Sequence, residues 1–408
     1  MKKLFLWIMN ISMFIIVFKL NPFLALPLSY DKFFIAAGLF SLLFVPGIKH
    51  ITVISKPVFF LLLLLLYGTM VSLNYNYEIN HQVYRFFLFV FESLTVSFFI
   101  IGAYIRVLNK DLQYILKVVF HCILIQSILV IISFIVPFFF NIMDVIAPLE
   151  GTNFDEEISF RLFRGLSNTS GSAHSVVLSI GALLAFYFYS IEKHKIYLIS
   201  ILFFFLAAAI NGRTGVILIA LFAVLYILQN LKKGKMIKPI LIALFAFFIG
   251  QNVVNYFFSF SNRNQEIGVW YSEAFSFLDN DKQKNSAFYD DFEDKHIFFP
   301  DTTVGILFGV GNDTDQYLIG KGSDSGMIKN IFSFGIILTI AFYIFLCYKL
   351  YKSGQSMGDA EFYLSIGIIV VLLISEYKEP FLVKTFLAKL IFIVVIGRNW
   401  NTKHKMIF

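Results

Sequence analysis

Apolar runs separated by short polar turns follow one another along almost the entire chain. A helix needs about 20 mostly apolar residues to cross a bilayer, and fewer where Trp, Tyr, Lys or Arg stand at its ends. The pattern predicts an all-α polytopic membrane protein, a single membrane domain over residues 1–408 with about twelve spans. The predicted spans are residues 4–20, 33–48, 57–73, 86–104, 118–140, 175–191, 196–210, 215–228, 239–260, 327–348, 362–375 and 381–396.

Basic residues gather in the connections on one side of these spans. Seven connections, counting both ends of the chain, hold 18 of the 33 Lys and Arg residues. Short connections rich in Lys and Arg stay in the cytoplasm. We therefore expect both termini to be cytoplasmic, which requires an even number of spans and agrees with twelve.

Two connections on the opposite side are long, residues 141–174 and residues 261–325. The second carries a net charge of −7, whereas the rest of the chain carries +14. Its apolar residues recur at helical spacing, which predicts a helix lying in the membrane interface. These residues are Trp270, Tyr271, Ala274, Phe275 and Leu278. Long loops of this kind are where we expect extracytoplasmic chemistry.

Composition narrows the class of protein further. Hydrophobic residues make up 58% of the chain and charged residues only 14%, which excludes soluble enzymes and nucleic-acid binders because such a surface would aggregate in water. Cys122 and Cys347 both lie in apolar runs without metal-ligand spacing. We expect no disulfide framework, no metal site and no cofactor.

The first group of candidate residues closes the loop 141–174. Arg161, Arg164, Asn168 and His174 lie in a small, polar segment directly before the sixth predicted span. A guanidinium donates two parallel hydrogen bonds to a phosphate and keeps its charge at any working pH. The segment therefore predicts phosphate binding, and the alternative is a pair of interfacial arginines that bond lipid headgroups.

The second group is the turn Asn211-Gly-Arg213-Thr-Gly215 between two predicted spans. Such a turn needs Gly and Asn but does not need Arg. Only one helix hairpin separates Arg213 from Arg164, so we expect both to face one outward cavity. An arginine that snorkels at the interface is the alternative.

The third group ends the loop 261–325. Gly309-Val-Gly311 is followed by Ser323-Asp324-Ser325-Gly326 at the mouth of the tenth predicted span. A carboxylate near the membrane surface is suited to act as general base. The alternative is that Ser323 or Asp324 caps the helix.

Other ionisable residues carry less weight. Glu92 lies inside the fourth predicted span, where an ionisable group is a functional candidate by default. Glu376 is expected in an outer turn with Lys378 and Glu379, and His296 is expected to be isolated. Apart from Glu92, the centres of the spans are expected to be almost uncharged.

At the three groups the chain resembles the Wzy-type polysaccharide polymerases and the related O-antigen ligases. The resemblance covers the topology of nearly the whole chain, together with four short motifs. These are Arg164-Gly165, Arg213-Thr-Gly215, Gly309-Val-Gly311, and Ser323-Asp324-Ser325-Gly326 with Gly335 nine residues later. Asn168-Thr169 stands where family members often have Asn-Pro, and Asp324 stands where ligases commonly have His, which favours a polymerase.

The resemblance implies a GT-C-like glycosyltransferase in the bacterial inner membrane that works at its outer face. Donor and acceptor are glycan repeat units on undecaprenyl diphosphate, and the products are O-antigen (in lipopolysaccharide) or capsular polysaccharide. Arg164 and Arg213 would stabilise the leaving diphosphate, assisted by Arg161, and Asp324 would act on the acceptor hydroxyl.

The same resemblance assigns substrate binding to Asn168, His174, Trp270, Tyr271 and Ser323. Membrane lipids and a chain-length regulator are expected partners. A ligase that transfers finished glycan to another acceptor, a flippase or transporter for lipid-linked oligosaccharide, and a structural membrane subunit stay open as alternatives.

Overall fold

The computed structural model of the chain has only helices as regular secondary structure in its described part. It describes residues 2–20, 33, 35–39, 51–76, 78–146, 163–169, 171–231, 296–312, 322–355 and 357–405. Within those ranges there is no strand, and seven helices are long and apolar enough to cross a membrane. The all-α class is confirmed, and the seven helices indicate a membrane-embedded protein.

The helices cover the predicted apolar runs wherever the two can be compared, but two of these runs are each divided between two helices. They are α1 (Lys2–Phe18), α2 (Ile51–Asn76), α3 (His81–Ile101), α4 (Leu112–Ile135), α5 (Pro137–Ile146), α6 (Gly171–Glu192), α7 (Lys195–Asn211), α8 (Arg213–Leu231), α9 (Thr303–Phe308), α10 (Gly326–Gln355), α11 (Asp359–Lys378), α12 (Phe381–Lys384) and α13 (Leu387–Lys405). A π-helical turn, Gly102–Val107, extends α3. The predicted span 239–260 and most of 33–48 lie outside the described residues.

The predicted span 118–140 is two helices, not one. α4 ends at Ile135, and Pro137 opens α5. Proline lacks the N–H that a helix interior requires but fits the first turn of a new helix. Because α5 runs to Ile146 and α6 begins at Gly171, the predicted loop 141–174 is helical at both ends.

The predicted span 381–396 is also interrupted. α12 ends at Lys384, and α13 begins at Leu387. The Thr385 hydroxyl donates to the carbonyl of Phe381 and accepts the N–H of Leu387. These two bonds satisfy backbone groups that the break exposes, so the interruption costs little.

The chain folds into two compact units, and each is described by itself. Unit 2, Ile123–Asp294, is built around α6, along which α7 and α8 pack. All residues from 174 to 188 are buried. Small residues permit this close packing, since a Cβ on Gly181 would lie 2.6 Å from the ring of Phe204.

Unit 1 comprises Met1–Cys122 and Lys295–Phe408. In it α10 packs against α11 and against the short α9, and α3 packs against α2 and α13. Phenylalanines fill the contact between α3 and α10, with Phe86 against Phe334 at a centroid distance of 5.1 Å. The candidate residues of the third group belong to this unit.

Candidate functional site

Gln126 of α4 holds the backbone of the Arg164 segment in unit 2. Its Nε2 donates to the carbonyl oxygen of Arg164 at 2.5 Å, and its Oε1 accepts the N–H of Leu166 at 3.2 Å. Gly165 between them has a φ of 57°, and a Cβ there would lie 3.0 Å from the Gln126 amide nitrogen. The left-handed conformation and the close approach both require glycine. The direction of the Arg164 backbone is therefore fixed.

The turn between α7 and α8 is bonded to the same region. Asn211 donates through Nδ2 to the carbonyl oxygen of Phe163 at 3.1 Å. The N–H of Gly215 donates to the Ser175 hydroxyl at 3.2 Å, and a Cβ on Gly212 would lie 2.8 Å from that oxygen. Each end of the turn thus contacts the segment or the helix that carries the first group. The structure brings the first and second candidate groups together.

Basic side chains lie on the segments that meet here. Arg164 is 2% exposed and His174 is fully buried, and the guanidinium acts electrostatically on the imidazole. Arg213 is the first residue of α8 and is partly exposed. The bond between Gly215 and Ser175 places the first turns of α6 and α8 side by side, and both present backbone N–H groups. This arrangement is suited to an anion.

Two expectations about this region need correction. Arg164 was expected to face an outward cavity, but its side chain is buried, and Asn211 bonds the backbone directly before it. His174 was expected in a loop, but it lies in the first turn of α6. Asn168 is partly exposed. Of the other predicted substrate-binding residues, Arg161, Trp270 and Tyr271 lie outside the described residues.

Asp324 belongs to unit 1 and has a partner that the sequence did not suggest. Its N–H donates to Nδ1 of His296 at 3.2 Å, and its Oδ2 lies 3.6 Å from Nε2 of the same ring. The Ser323 hydroxyl donates to the carbonyl oxygen of His296 at 2.5 Å. The expectation that His296 is isolated is wrong, because the fold joins residues that are 28 positions apart.

The cap of α10 is neither of the two residues considered from sequence. The carbonyl oxygen of Ser325 accepts the N–H of Lys329 at 3.0 Å, and its hydroxyl accepts the N–H of Ile328 at 3.5 Å. These bonds identify Ser325 as the N-cap. Asp324 precedes the cap, and its carboxylate is 65% exposed, so its oxygens are accessible to other groups.

The glycine element of the third group, Gly309-Val-Gly311, holds α9 against a break in α10. Gly335 has a φ of 78° inside α10, and the carbonyl oxygen of Phe332, one turn earlier, accepts the N–H groups of Val310 and Gly311. Gly309 and Gly311 also have positive φ values, 85° and 67°. A Cβ on Gly309 would lie 2.9 Å from the nitrogen of Gly335. The role of the element is close backbone packing.

Buried ion pairs lie within the helices of unit 1. Glu92, at the middle of α3, is bonded to Lys389 of α13. Arg398 of the same helix donates two bonds to the carboxylate of Glu361 on α11, the shorter at 2.5 Å, and a third to its backbone carbonyl. Besides Glu92, Lys389 thus adds a buried charge near the middle of a predicted span. Lys389, one of two lysines inside the last predicted span, was the available signal, since a buried Glu requires a positive partner.

Glu376 is buried, not part of an exposed turn. Its Oε2 accepts the Tyr343 hydroxyl at 2.8 Å, and its Oε1 accepts the N–H of Leu382 at 2.6 Å. Asn330 donates to the same tyrosine oxygen at 2.9 Å and accepts from Gln82 at 2.8 Å. The carboxylate thus ties α10, α11 and α12 together at one end of unit 1. Among the described residues no group of His, Cys, Asp and Glu is arranged to hold a metal ion.

Two comparisons with known proteins bear on this site. No protein-family model matches the sequence, and no curated protein matches it either. The function must accordingly be argued from the residues and their geometry.

Proposed function

We propose that this protein is a membrane glycosyltransferase that polymerises repeat units of a bacterial surface polysaccharide carried on undecaprenyl diphosphate. One observation carries the proposal: the segments of Arg164 and Arg213 meet beside the first turns of two helices. Two guanidiniums and helix N-termini favour a ligand with several negative charges. A lipid-borne diphosphate has that charge. The resemblance of the motifs to the Wzy-type polymerases points to the same ligand.

The reaction is an inverting glycosyl transfer. A hydroxyl of the acceptor saccharide attacks the anomeric carbon of the donor and forms the new glycosidic bond. The bond from that carbon to the diphosphate oxygen breaks, and the electron pair leaves with the diphosphate. The hydroxyl proton passes to a general base, the role that the resemblance gives to Asp324. Arg164 and Arg213 stabilise the charge that grows on the leaving group, which is the electrostatic contribution expected to dominate.

The proposal includes the finer topology expected from sequence. It holds that the chain crosses the inner membrane twelve times, keeps both termini in the cytoplasm, has a GT-C-like arrangement and works on the outer side. The alternation of basic connections supports this orientation. The seven long apolar helices are compatible with it.

Arg213→Ala in a strain that depends on this chain for polysaccharide tests the proposal. We expect the long-chain ladder to disappear while the protein stays inserted and abundant, because Arg213 is partly exposed. Lys195→Ala is the matched control, since Lys195 is also a basic first residue of a helix. It begins α7, whereas Arg213 follows the opposite end of that helix. The control should leave the ladder intact. A normal ladder in Arg213→Ala would refute the assignment.

A flippase for lipid-linked oligosaccharide is a second candidate because buried ionisable pairs are typical of transporters. The Glu92–Lys389 pair favours it. Purified protein given one lipid-linked repeat unit separates the candidates. A polymerase lengthens the glycan in detergent micelles, whereas a flippase leaves it unchanged. Transfer to a different acceptor, without lengthening on the lipid, would instead identify a ligase.

A further inference from the structure

We propose that His296 is a positioning residue for Asp324, orienting the carboxylate that receives the acceptor's proton. The inference deepens the proposed function and rests on it. Its basis is the geometry of the two residues: the imidazole contacts both the backbone N–H and the carboxylate of Asp324.

The hydrogen bond to Nδ1 determines how the imidazole is protonated. Nδ1 accepts the N–H of Asp324 at 3.2 Å and must therefore carry a lone pair. In the neutral ring the proton is then on Nε2. Nε2 is the nitrogen that lies 3.6 Å from Asp324 Oδ2. His296 thus presents an N–H to the side of the carboxylate.

The distance between Nε2 and Oδ2 leaves the carboxylate able to bind substrate. A direct N–H···O hydrogen bond is about 2.7–3.2 Å long, shorter than the 3.6 Å found here. The imidazole therefore biases the orientation of the carboxylate without occupying it. An exposed carboxylate otherwise samples several rotamers, and misplacing a catalytic group by about 1 Å costs about 100-fold in rate.

The segment that carries His296 is anchored independently of its imidazole. Ser323 bonds to the carbonyl oxygen of His296, which any residue provides. The next two side chains, Ile297 and Phe298, pack against the buried cluster of Ile328, Ile331 and Phe332 on α10. A change of the imidazole alone should leave this packing in place, so variants at this position should fold.

Three substitutions separate the two contacts of the imidazole. In His296→Ala both contacts are lost. His296→Asn keeps an acceptor close to the position of Nδ1, and His296→Gln keeps a donor close to that of Nε2. We expect kcat of polymerisation to fall about 10- to 100-fold in the Ala variant, with KM for the lipid-linked substrate unchanged. Gln should retain more turnover than Asn, and exposed His194→Asn should behave as wild type.

The double variant tests whether His296 acts through Asp324. In an Asp324→Asn background, His296→Ala should change kcat less than about 3-fold, because groups that act as a unit are not additive. Wild-type kcat in His296→Ala, or the same loss in both backgrounds, would overturn the inference.

Nitrogen NMR of the imidazoles gives a readout that needs no activity. We expect the His296 signal, assigned by its loss in His296→Asn, to show a bare Nδ1 and a protonated Nε2, and its Nε2 resonance to shift in Asp324→Asn. A protonated Nδ1 would contradict the pairing. If wild-type protein makes no polymer, the proposed function fails, and the spectrum still decides whether the two residues are paired.

Discussion

At the scale of single residues, Gln126 holds the Arg164 segment in place, because its amide forms hydrogen bonds to the residues on both sides of Gly165. It is fully buried, and a buried amide that fixes a loop backbone determines where the neighbouring side chains begin. The direction of Arg164 therefore depends on a residue of α4 that carries no charge. Its separation of 38 residues from Arg164 explains why the sequence did not indicate this role.

Gln126→Ala should cost about 1–3 kcal/mol of stability, since it leaves the carbonyl of Arg164 and the N–H of Leu166 without a buried partner. We also expect weaker diphosphate binding as the segment loosens. Ser127→Ala is the control, because that buried hydroxyl bonds within its own helix, to the carbonyl of Ile123. Thermal unfolding in detergent measures the stability of both variants. Equal unfolding temperatures for the two variants would show that the hydrogen bonds of Gln126 to the Arg164 segment are dispensable.

At the scale of elements, interruptions within helices decide where the candidate residues lie. α10 breaks at Gly335, and the backbone of residues 309–311 occupies the break. A run of apolar residues predicts a helix, but hydrophobic periodicity does not reveal a break inside it. From sequence, Gly335 was singled out only through the resemblance to a family. In the structure this glycine permits contact between two backbones.

Gly335→Ala should severely reduce stability and abundance. The residue has a φ of 78°, and its Cβ would lie 2.3 Å from the carbonyl oxygen of Leu307. Gly358→Ala separates backbone strain from steric clash, because Gly358 has a φ of 116° but an added Cβ there would have nothing within 4 Å. We expect a loss of about 1 kcal/mol for Gly358→Ala and a much larger loss for Gly335→Ala. Unfolding temperatures and membrane abundance that match between them would contradict the packing argument.

The contact between α3 and α13 includes the buried ion pair of Glu92 and Lys389. Removing one partner of a buried pair leaves an uncompensated charge and costs about 3–5 kcal/mol. We expect Glu92→Gln and Lys389→Met each to lower the unfolding temperature, and the double variant to recover much of that loss. Additive losses in this double-mutant cycle would show that the two side chains are not energetically coupled.

At the scale of the whole molecule, hydropathy predicted the helical class because bilayer-spanning segments need long apolar runs. Hydropathy also placed the turn at Arg213, where a short polar cluster separates two apolar runs. It did not predict the pairing of His296 with Asp324 or of Glu92 with Lys389. Those contacts join residues distant in sequence, and single-sequence patterns carry no information on such pairings.

The central claim is that arginines at the meeting of α6 and α8 bind a lipid-borne diphosphate. Binding of undecaprenyl diphosphate to the purified protein in detergent tests it most directly. We predict that Arg213→Ala weakens binding at least about tenfold, as expected for loss of hydrogen bonds to a charged ligand, that Lys195→Ala binds like wild type, and that undecaprenol, without the diphosphate, binds weakly. Equal affinity of wild type and Arg213→Ala, or of the two lipids, would contradict the account.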